Sequence, residues 1–445
     1  MANYYGLNCF KSETDDMKPY VVIGAGPAGL CTVRRLQEQG IEVIGLEAHS
    51  DVGGLWDIDS PTSTMYDSAH LISSKRMTEF SDFPMRDEVA AYPRHDDMKA
   101  YFQDYARHFG LYDRYRFEAW VEAVEPDGGD WRVRYRQAGA THEIAAAGVI
   151  IAAGTLHEPQ RPQFQGEFKG EQLHSSDYRS ADIFANKRVL IIGCGNSGCD
   201  IAVDAVHRAK SVDMVVRRGY YFLPKFVAGK PTDTLGGKIK LPNKLKQIVD
   251  GWLVRLISGK PSQFGLPDPD YKMYESHPVV NSMFLHHIGH GDIKVRPALE
   301  RLLEKGAEFK DGSSAEYDLI LEATGYKLHY PFIAQEHLNW QGYAPQLYLN
   351  IFTPQYDNLF MMGMVEAAGL GWQGRDDQAQ LLAKVIKTQQ TEPQAAQVFF
   401  EKVRSHAADR IDGGLNYLAL ERMSFYVHKG DYLKALRTEM DALPV

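Results

Sequence analysis

The stretch from Tyr20 to Ala48, YVVIGAGPAGLCTVRRLQEQGIEVIGLEA, decides the fold. A β-branched run, Val21 to Ile23, leads into Gly24, Gly26 and Gly29, with Pro27 and Ala28 between the last two glycines; a helical pattern follows, then a second strand, Glu42 to Leu46. The first glycine permits a tight turn, the second lets backbone approach a diphosphate, and the third allows close helix-to-strand packing. The helix N-terminus then offers its unpaired N–H groups to phosphate. Glu47, next to Ala48, lies about twenty residues beyond the turn, where a carboxylate accepts from both hydroxyls of a ribose. The stretch predicts a parallel β-α-β unit that binds a dinucleotide.

The pattern recurs from Lys187 to Gly219, KRVLIIGCGNSGCDIAVDAVHRAKSVDMVVRRG, with Gly193, Gly195 and Gly198 opening the helix and Asn196 and Ser197 in the turn. Here the second strand, Val212 to Val216, ends in Arg217 and Arg218 instead of an acid. A carboxylate there would repel a 2'-phosphate, whereas guanidinium grips phosphate with paired donors and stacks on adenine. The acid-ended unit suits FAD and the arginine-ended unit suits NADPH. Cys194 and Cys199 raise a rival reading, a disulfide relay beside a flavin. Their places, in the phosphate turn and at the helix start, favour packing as small apolar residues.

The chain has 445 residues, 44% hydrophobic and 24% charged, which is ordinary globular composition and long enough for more than one core. A formal net charge of −9 offers no basic field to nucleic acid. No segment approaches the apolar run of a membrane span, and the N-terminal residues lack a charged start before an apolar stretch, so a soluble, cytoplasmic protein is expected. The four cysteines, Cys9, Cys31, Cys194 and Cys199, are too dispersed for a disulfide framework and are expected as free thiols. His286, His287 and His290 lack acidic or cysteine partners at ligand spacing, so no metal site is expected.

Between the two turns lies FKGEQLHSSDYRS, Phe168 to Ser180. Its Phe168, Gly170, His174 and Tyr178 resemble the Phe-x-Gly-x-x-x-His-x-x-x-Tyr fingerprint of the flavin-containing monooxygenases. The pair Tyr178-Arg179 departs from the Trp-or-Pro-then-Asp ending of the related Baeyer–Villiger monooxygenases. The likeness extends through EAHSDVGGLWD, SKRMTEFSDFPM, LEATGY and DNLFMMGMVEAAGLGWQGRDDQAQLLA, spread from about residue 20 to about residue 390.

The resemblance implies an α/β architecture of two Rossmann-like domains, the NADPH domain (166–326) inserted into an FAD domain made of 1–165 and 327–445. It places Gly53, Gly54, Leu55, Trp56, Met65, His70, Val121, Ala153 and Gly154 on the flavin side. His174 and Tyr178 are expected to organise the domain junction and NADP+, Thr324 and Gly325 to mark the crossing between domains, and Gln378 to sit on a helix that starts near Asp376 and points its positive end at the flavin.

The implied reaction is NADPH- and O2-dependent: hydride passes to FAD, oxygen is taken up as a C4a-hydroperoxide with NADP+ retained, and an amine nitrogen or sulfide sulfur of a small-molecule substrate attacks the distal oxygen. The family's Asn-x-x-Lys segment, aligned on Lys75, puts Ile72 at the Asn position, and Ile has no side-chain hydrogen bond to offer. Ser73 and Ser74 are therefore the expected catalytic hydroxyls, with the nicotinamide amide as the other group able to hold the peroxide and readier peroxide leakage as the consequence if none does. Met364 stands where distant reductases carry an Asp on the ribityl chain. Ketone oxidation and a non-oxygenating NADPH-dependent flavoprotein reductase are the alternatives. The basic amphipathic stretch from Lys240 to Lys260 is expected as a solvated helix that covers the cofactor cleft or forms a homodimer face, with contact to a membrane surface or a partner as the alternative.

Overall fold

The computed structural model describes residues 18–235 and 241–444. Strand β1 (Tyr20–Ile23), helix α1 (Pro27–Glu38) and strand β2 (Val43–Leu46) form the first β-α-β unit, with Ile23 level with Leu46. On its other side β1 pairs in parallel with Gly148–Ile151, which in turn pairs with Leu359–Met361; Tyr115–Arg116 lies beyond β2 and completes a five-stranded sheet. Val22 and Ile150 pack on the helical side, and Val21, Ile23, Val149 and Ile151 against an antiparallel three-stranded layer spanning 120–146. Cover on both faces is why β1 is apolar at every position instead of alternating.

The second sheet repeats the plan. Strand β3 (Arg188–Ile192), helix α2 (Asn196–Val206) and strand β4 (Ser211–Val215) form its β-α-β unit. The parallel order is Ile293–Arg296, β4, β3, Leu319–Glu322 and Glu171–His174. All five strands of this sheet lie between 171 and 322, and the chain returns to the first sheet at Leu359. The two passages between sheets run side by side: Glu158–Pro159 pairs antiparallel with Tyr326–Lys327, the Gln160 amide donates to the Gly325 carbonyl at 2.8 Å, and Thr324 Oγ1 donates to the Gln160 carbonyl at 2.5 Å.

Helix α3 (Asn243–Ser258) lies in the Lys240–Lys260 stretch. Helix α4 (Gln373–Thr391) starts three residues before Asp376, because Gly371 at φ +64° lets the chain turn against Met77 and the Trp372 amide donates to the Thr78 carbonyl at 2.8 Å. Asp376 is fully buried and ion-paired to Arg35 of α1 at 2.5 Å. Helix α5 (Lys429–Ala442) covers α4 with Tyr432 and Leu436. Among the described residues no helix is long and apolar enough to cross a membrane, and no group of three or more His, Cys, Asp or Glu is placed to hold a metal ion. Cys31, Cys194 and Cys199 are buried free thiols; Cys9 lies outside the described residues.

Candidate active site

Both glycine turns have the geometry that their spacing predicts. Gly24 sits at φ +109°, and a Cβ there would stand 2.6 Å from the Ala152 carbonyl oxygen; at Gly29 a Cβ would lie 1.9 Å from the Gly24 carbonyl oxygen. Gly26 faces Gly54, whose Cβ would come within 3.0 Å of the Gly26 Cα, so the loop with Leu55 and Trp56 closes backbone to backbone over the turn. Helix α1 begins at Pro27 with no side-chain cap, which leaves its first N–H groups for an anion.

Glu47, at the end of β2, is 5% exposed and accepts from the Ala25 amide at 2.5 Å and the His49 amide at 3.0 Å. Burial pushes its carboxyl above the ordinary value, opposed by the amides of Ala25, His49 and Ala48. Each oxygen retains acceptor capacity for a hydroxyl. Ala153 and Gly154 follow the neighbouring strand; Gly154 is at φ +81° with open space where a side chain would be. Val121 is buried in the antiparallel layer.

In the second turn Gly193 is at φ +113°, and a Cβ at Gly198 would lie 2.2 Å from the Gly193 carbonyl oxygen. A Cβ at Gly195 would meet nothing within 4 Å, nor would one at Gly325. Helix α2 also begins without a side-chain cap, just before Asn196 and Ser197. Asn196 is spent on the fold: its Oδ1 accepts from the Val280 amide at 2.8 Å. Arg217 is exposed, and Arg218 is half-buried with its guanidinium 5.0 Å from the centre of the Tyr220 ring. Cys194 and Cys199 place their sulfurs 3.7 Å apart in this turn, and burial pushes the Cys199 thiol well up.

The fingerprint residues are structural. Tyr178 is 1% exposed, stacks on Phe184, tilts against Tyr66 and donates to Asp204 at 2.9 Å. His174 is fully buried; the Ser176 amide donates to its Nδ1 at 3.0 Å, and Nε2 faces the Gly325 backbone without a well-formed hydrogen bond. Burial, with the nearby Arg161, lowers its pKa to about 4, so the ring is neutral. Both side chains are buried, as parts of the packing between the two sheets. Tyr178 meets the first unit through Tyr66, and the next residue ties the two together: Arg179 donates to the Ser63 carbonyl at 2.7 Å, and the Asp67 amide donates to the Arg179 carbonyl at 2.9 Å. Met65 joins the same cluster from the first unit, while His70 is exposed and donates from Nδ1 to the Ser68 carbonyl at 2.6 Å.

Ser73 shares a hydrogen bond with Thr78 at 2.7 Å, and Ser74 Oγ is buried with no partner among the described residues. Lys75 is taken up by the carbonyls of Arg86, Asp87 and Val89 at 2.9, 2.9 and 2.5 Å. The N-terminus of α4 abuts this turn through Gly371, and Gln378 does not face the turn. Gln378 is fully buried and donates to the Tyr432 hydroxyl at 2.6 Å, because it lies on the side of α4 covered by α5. Met364 is likewise core, 1% exposed.

Sequence reasoning missed Asp233, which accepts from the Ser74 amide at 2.6 Å, and Lys225, which donates to the Leu71 carbonyl at 3.2 Å. Both come from the segment after the second sheet's β-α-β unit and clamp the serine turn of the first. Nothing local in the sequence signals a contact across 159 residues.

The profile of the flavin-binding monooxygenase-like family matches residues 17–442. The chain belongs to this family. It is 30% identical to flavin-containing monooxygenase 5 of Oryctolagus cuniculus over 96% of this chain and 83% of the relative, and 34% identical to indole-3-pyruvate monooxygenase YUCCA4 of Oryza sativa subsp. japonica over 72% and 77%. Among solved structures, S-allyl-L-cysteine S-oxygenase from Allium sativum superposes with a TM-score of 0.66 at 20% identity, covering 96% of this chain and 89% of that one. Cyclohexanone monooxygenase from Rhodococcus sp. Phi1, bound to NADP+, superposes with a TM-score of 0.70 at 17% identity, covering 96% and 97%. The fold is the one shared by these flavin monooxygenases.

Proposed function

We propose that this flavin monooxygenase uses FAD and NADPH to transfer one oxygen atom of O2 to an amine nitrogen or a sulfide sulfur. The observation that carries the cofactor assignment is the contrast between the two turns: each ends at an uncapped helix N-terminus, one beside the buried carboxylate of Glu47 and the other beside the guanidinium groups of Arg217 and Arg218. The open space at Gly195 and Gly325 fits a diphosphate on the second turn.

When bound, the two cofactors would supply hydride transfer and oxygen activation. In this reading Glu47 accepts from the adenosine ribose of FAD. The first N–H groups of α1 and α2 hold the two diphosphates. Arg217 and Arg218 take the 2'-phosphate, and Ser73, the less buried of the two serines, supplies a hydroxyl where Ile72 replaces an amide. Trp56 and Ile72 keep water from the reacting atoms. The proposed division remains 1–165 with 327–445 for FAD and 166–326 for NADPH.

The pair Tyr178-Arg179, which departs from the Baeyer–Villiger ending of the fingerprint, favours nitrogen or sulfur oxygenation over ketone oxidation. A panel of amines, sulfides and ketones, with oxygenated product and hydrogen peroxide followed together, tests the reading. Faster NADPH consumption with N- or S-oxide formation is expected. Ester from ketones alone, or peroxide alone from every substrate, overturns it.

A further inference from the structure

The two glycine turns correspond position by position, Gly24, Gly26 and Gly29 to Gly193, Gly195 and Gly198. They differ in the side chains that follow the first and the last glycine. In the first turn these are Ala25 and Leu30, both fully buried, which fill space and can do nothing else. In the second they are Cys194 and Cys199, with their sulfurs 3.7 Å apart. Cys194 stands beside the strained Gly193, at φ +113°, and Cys199 is the fourth residue of α2, its amide donating to the Gly195 carbonyl at 3.0 Å. The pair therefore spans the backbone from which the turn offers its N–H groups.

Both thiols sit in an apolar cluster with Tyr178 and Phe184, and no group of three or more ligating side chains among the described residues could hold a metal there. The chemistry open to them is their own. Cys31 makes the contrast in the first unit: its Sγ donates to the Ala28 carbonyl at 3.3 Å and forms no pair with another sulfur among the described residues. An isolated thiol that is oxidised stops at a sulfenic acid or goes on to an irreversible product, whereas a paired thiol is caught as a disulfide that a reductant reopens. Cys194 is 2% exposed and Cys199 fully buried, so an oxidant reaches Cys194 first and Cys199 is the thiol that resolves it. The oxidant is a peroxide, the by-product of the reaction proposed above whenever no substrate takes the oxygen atom.

We propose that Cys194 and Cys199 are a peroxide-oxidised dithiol that closes the second turn to its dinucleotide. The Cys194 sulfur attacks one oxygen of hydrogen peroxide; the O–O bond breaks, leaving a sulfenic acid on Cys194, and the other oxygen departs with the thiol proton as water. The Cys199 sulfur then displaces the hydroxyl, which leaves with the Cys199 proton as a second water while the S–S bond forms. Two thiols lose two electrons and one peroxide becomes two waters. A disulfide is about 2.05 Å long, so the sulfurs draw together by about 1.7 Å from their present 3.7 Å and pull the Gly193–Gly195 backbone toward the first turn of α2. The FAD turn, with Ala25 and Leu30, is untouched. Peroxide released by unproductive turnover thus cuts off the supply of NADPH, and a dithiol restores it. The identity of the dinucleotide rests on the function proposed above; the disulfide does not.

The test treats the FAD-loaded full chain with hydrogen peroxide, removes the excess with catalase, alkylates the remaining thiols in denaturant and maps the peptides by mass spectrometry. A Cys194–Cys199 disulfide is expected, reopened by dithiothreitol. The Kd for NADP+ of the oxidised protein, read from the flavin spectrum, should rise at least about tenfold with FAD retained, as the loss of charge-assisted contacts to phosphate requires. In C194A/C199L, which copies the first turn, peroxide should leave the affinity for NADP+ where it was before treatment. Two alkylated thiols at these positions after peroxide, separate sulfinic acids on them, or a mapped disulfide with unchanged affinity for NADP+ overturns the proposal. An untreated protein with no affinity for NADP+ is a failure of the coenzyme assignment alone, and the peptide map, made without coenzyme, then decides between the dithiol and two inert cysteines.

Discussion

Arg218 is held against Tyr220, with its Nε 3.3 Å from the hydroxyl, so one guanidinium is already oriented at the end of β4. Arg217 extends into solvent beside it. A charge-assisted hydrogen bond to phosphate contributes about 1.5–3 kcal/mol, so Arg218→Ala should raise the KM for NADPH about tenfold or more and leave that for NADH little changed. Equal losses for both coenzymes in steady-state kinetics would contradict the assignment of that turn. His174 gives a pH signature. Its pKa in the fold, about 4, lies below the ordinary 6.5, so between those values the unfolded chain takes up a proton that the folded one refuses. Its contribution to stability is complete above about 6.5 and is lost as pH falls toward about 4. A series of thermal melts across that window should slope less steeply for His174→Gln than for the parent; identical slopes would mean that the ring is protonated in the fold.

The two turns separate folding from binding at the level of the element. Gly195 has an extended backbone, φ −82° and ψ −176°, and open space beside it, so Gly195→Ala should change stability by no more than about 0.5 kcal/mol while obstructing NADPH. In Gly198→Ala the new carbon would stand 2.2 Å from the Gly193 carbonyl oxygen, and overpacking there should cost about 1–3 kcal/mol. Coenzyme titrations and denaturant melts of the pair read the difference, and a destabilised Gly195→Ala with intact NADPH binding would reverse the argument.

These turns were legible in the sequence because their constraints are local: a Cβ at Gly29 or Gly198 would clash with the first glycine of its own turn, and one at Gly24 or Gly193 with the end of the adjoining strand. The serine turn was not. Its clamp by Asp233 depends on two units meeting, and Asp233→Ala should cost about 1.5–3 kcal/mol through the Ser74 amide, with Asp233→Asn recovering much of it. Unchanged melting of Asp233→Ala would show that the clamp contributes nothing.

At the scale of the whole molecule, the parallel sheets and the antiparallel ribbon joining them follow from patterns that the sequence carries openly: apolar runs, glycine turns and a fingerprint at the junction. What it concealed is orientation. Gln378 lies on an amphipathic helix whose partner, α5, is known only once the chain has folded back, and that partner takes its side-chain amide. Helix α3 shows the same limit more sharply, since its period reveals two faces but only the hydrogen bonds of Gln247 and Asn243 reveal which one meets the protein. Tyr178 and His174 carry the family resemblance in the sequence, and in the structure both are buried where the two units meet.

The central claim, that one oxygen atom of O2 is delivered to a soft nucleophile at the expense of NADPH, is tested most directly with isotopically labelled dioxygen. The FAD-loaded protein is mixed with NADPH and a dialkyl sulfide, and the sulfoxide is analysed by mass spectrometry. One labelled oxygen atom per sulfoxide, with NADPH consumed in step, is the predicted result. Sulfoxide without label, or NADPH consumed with labelled hydrogen peroxide as the sole product, would contradict the account.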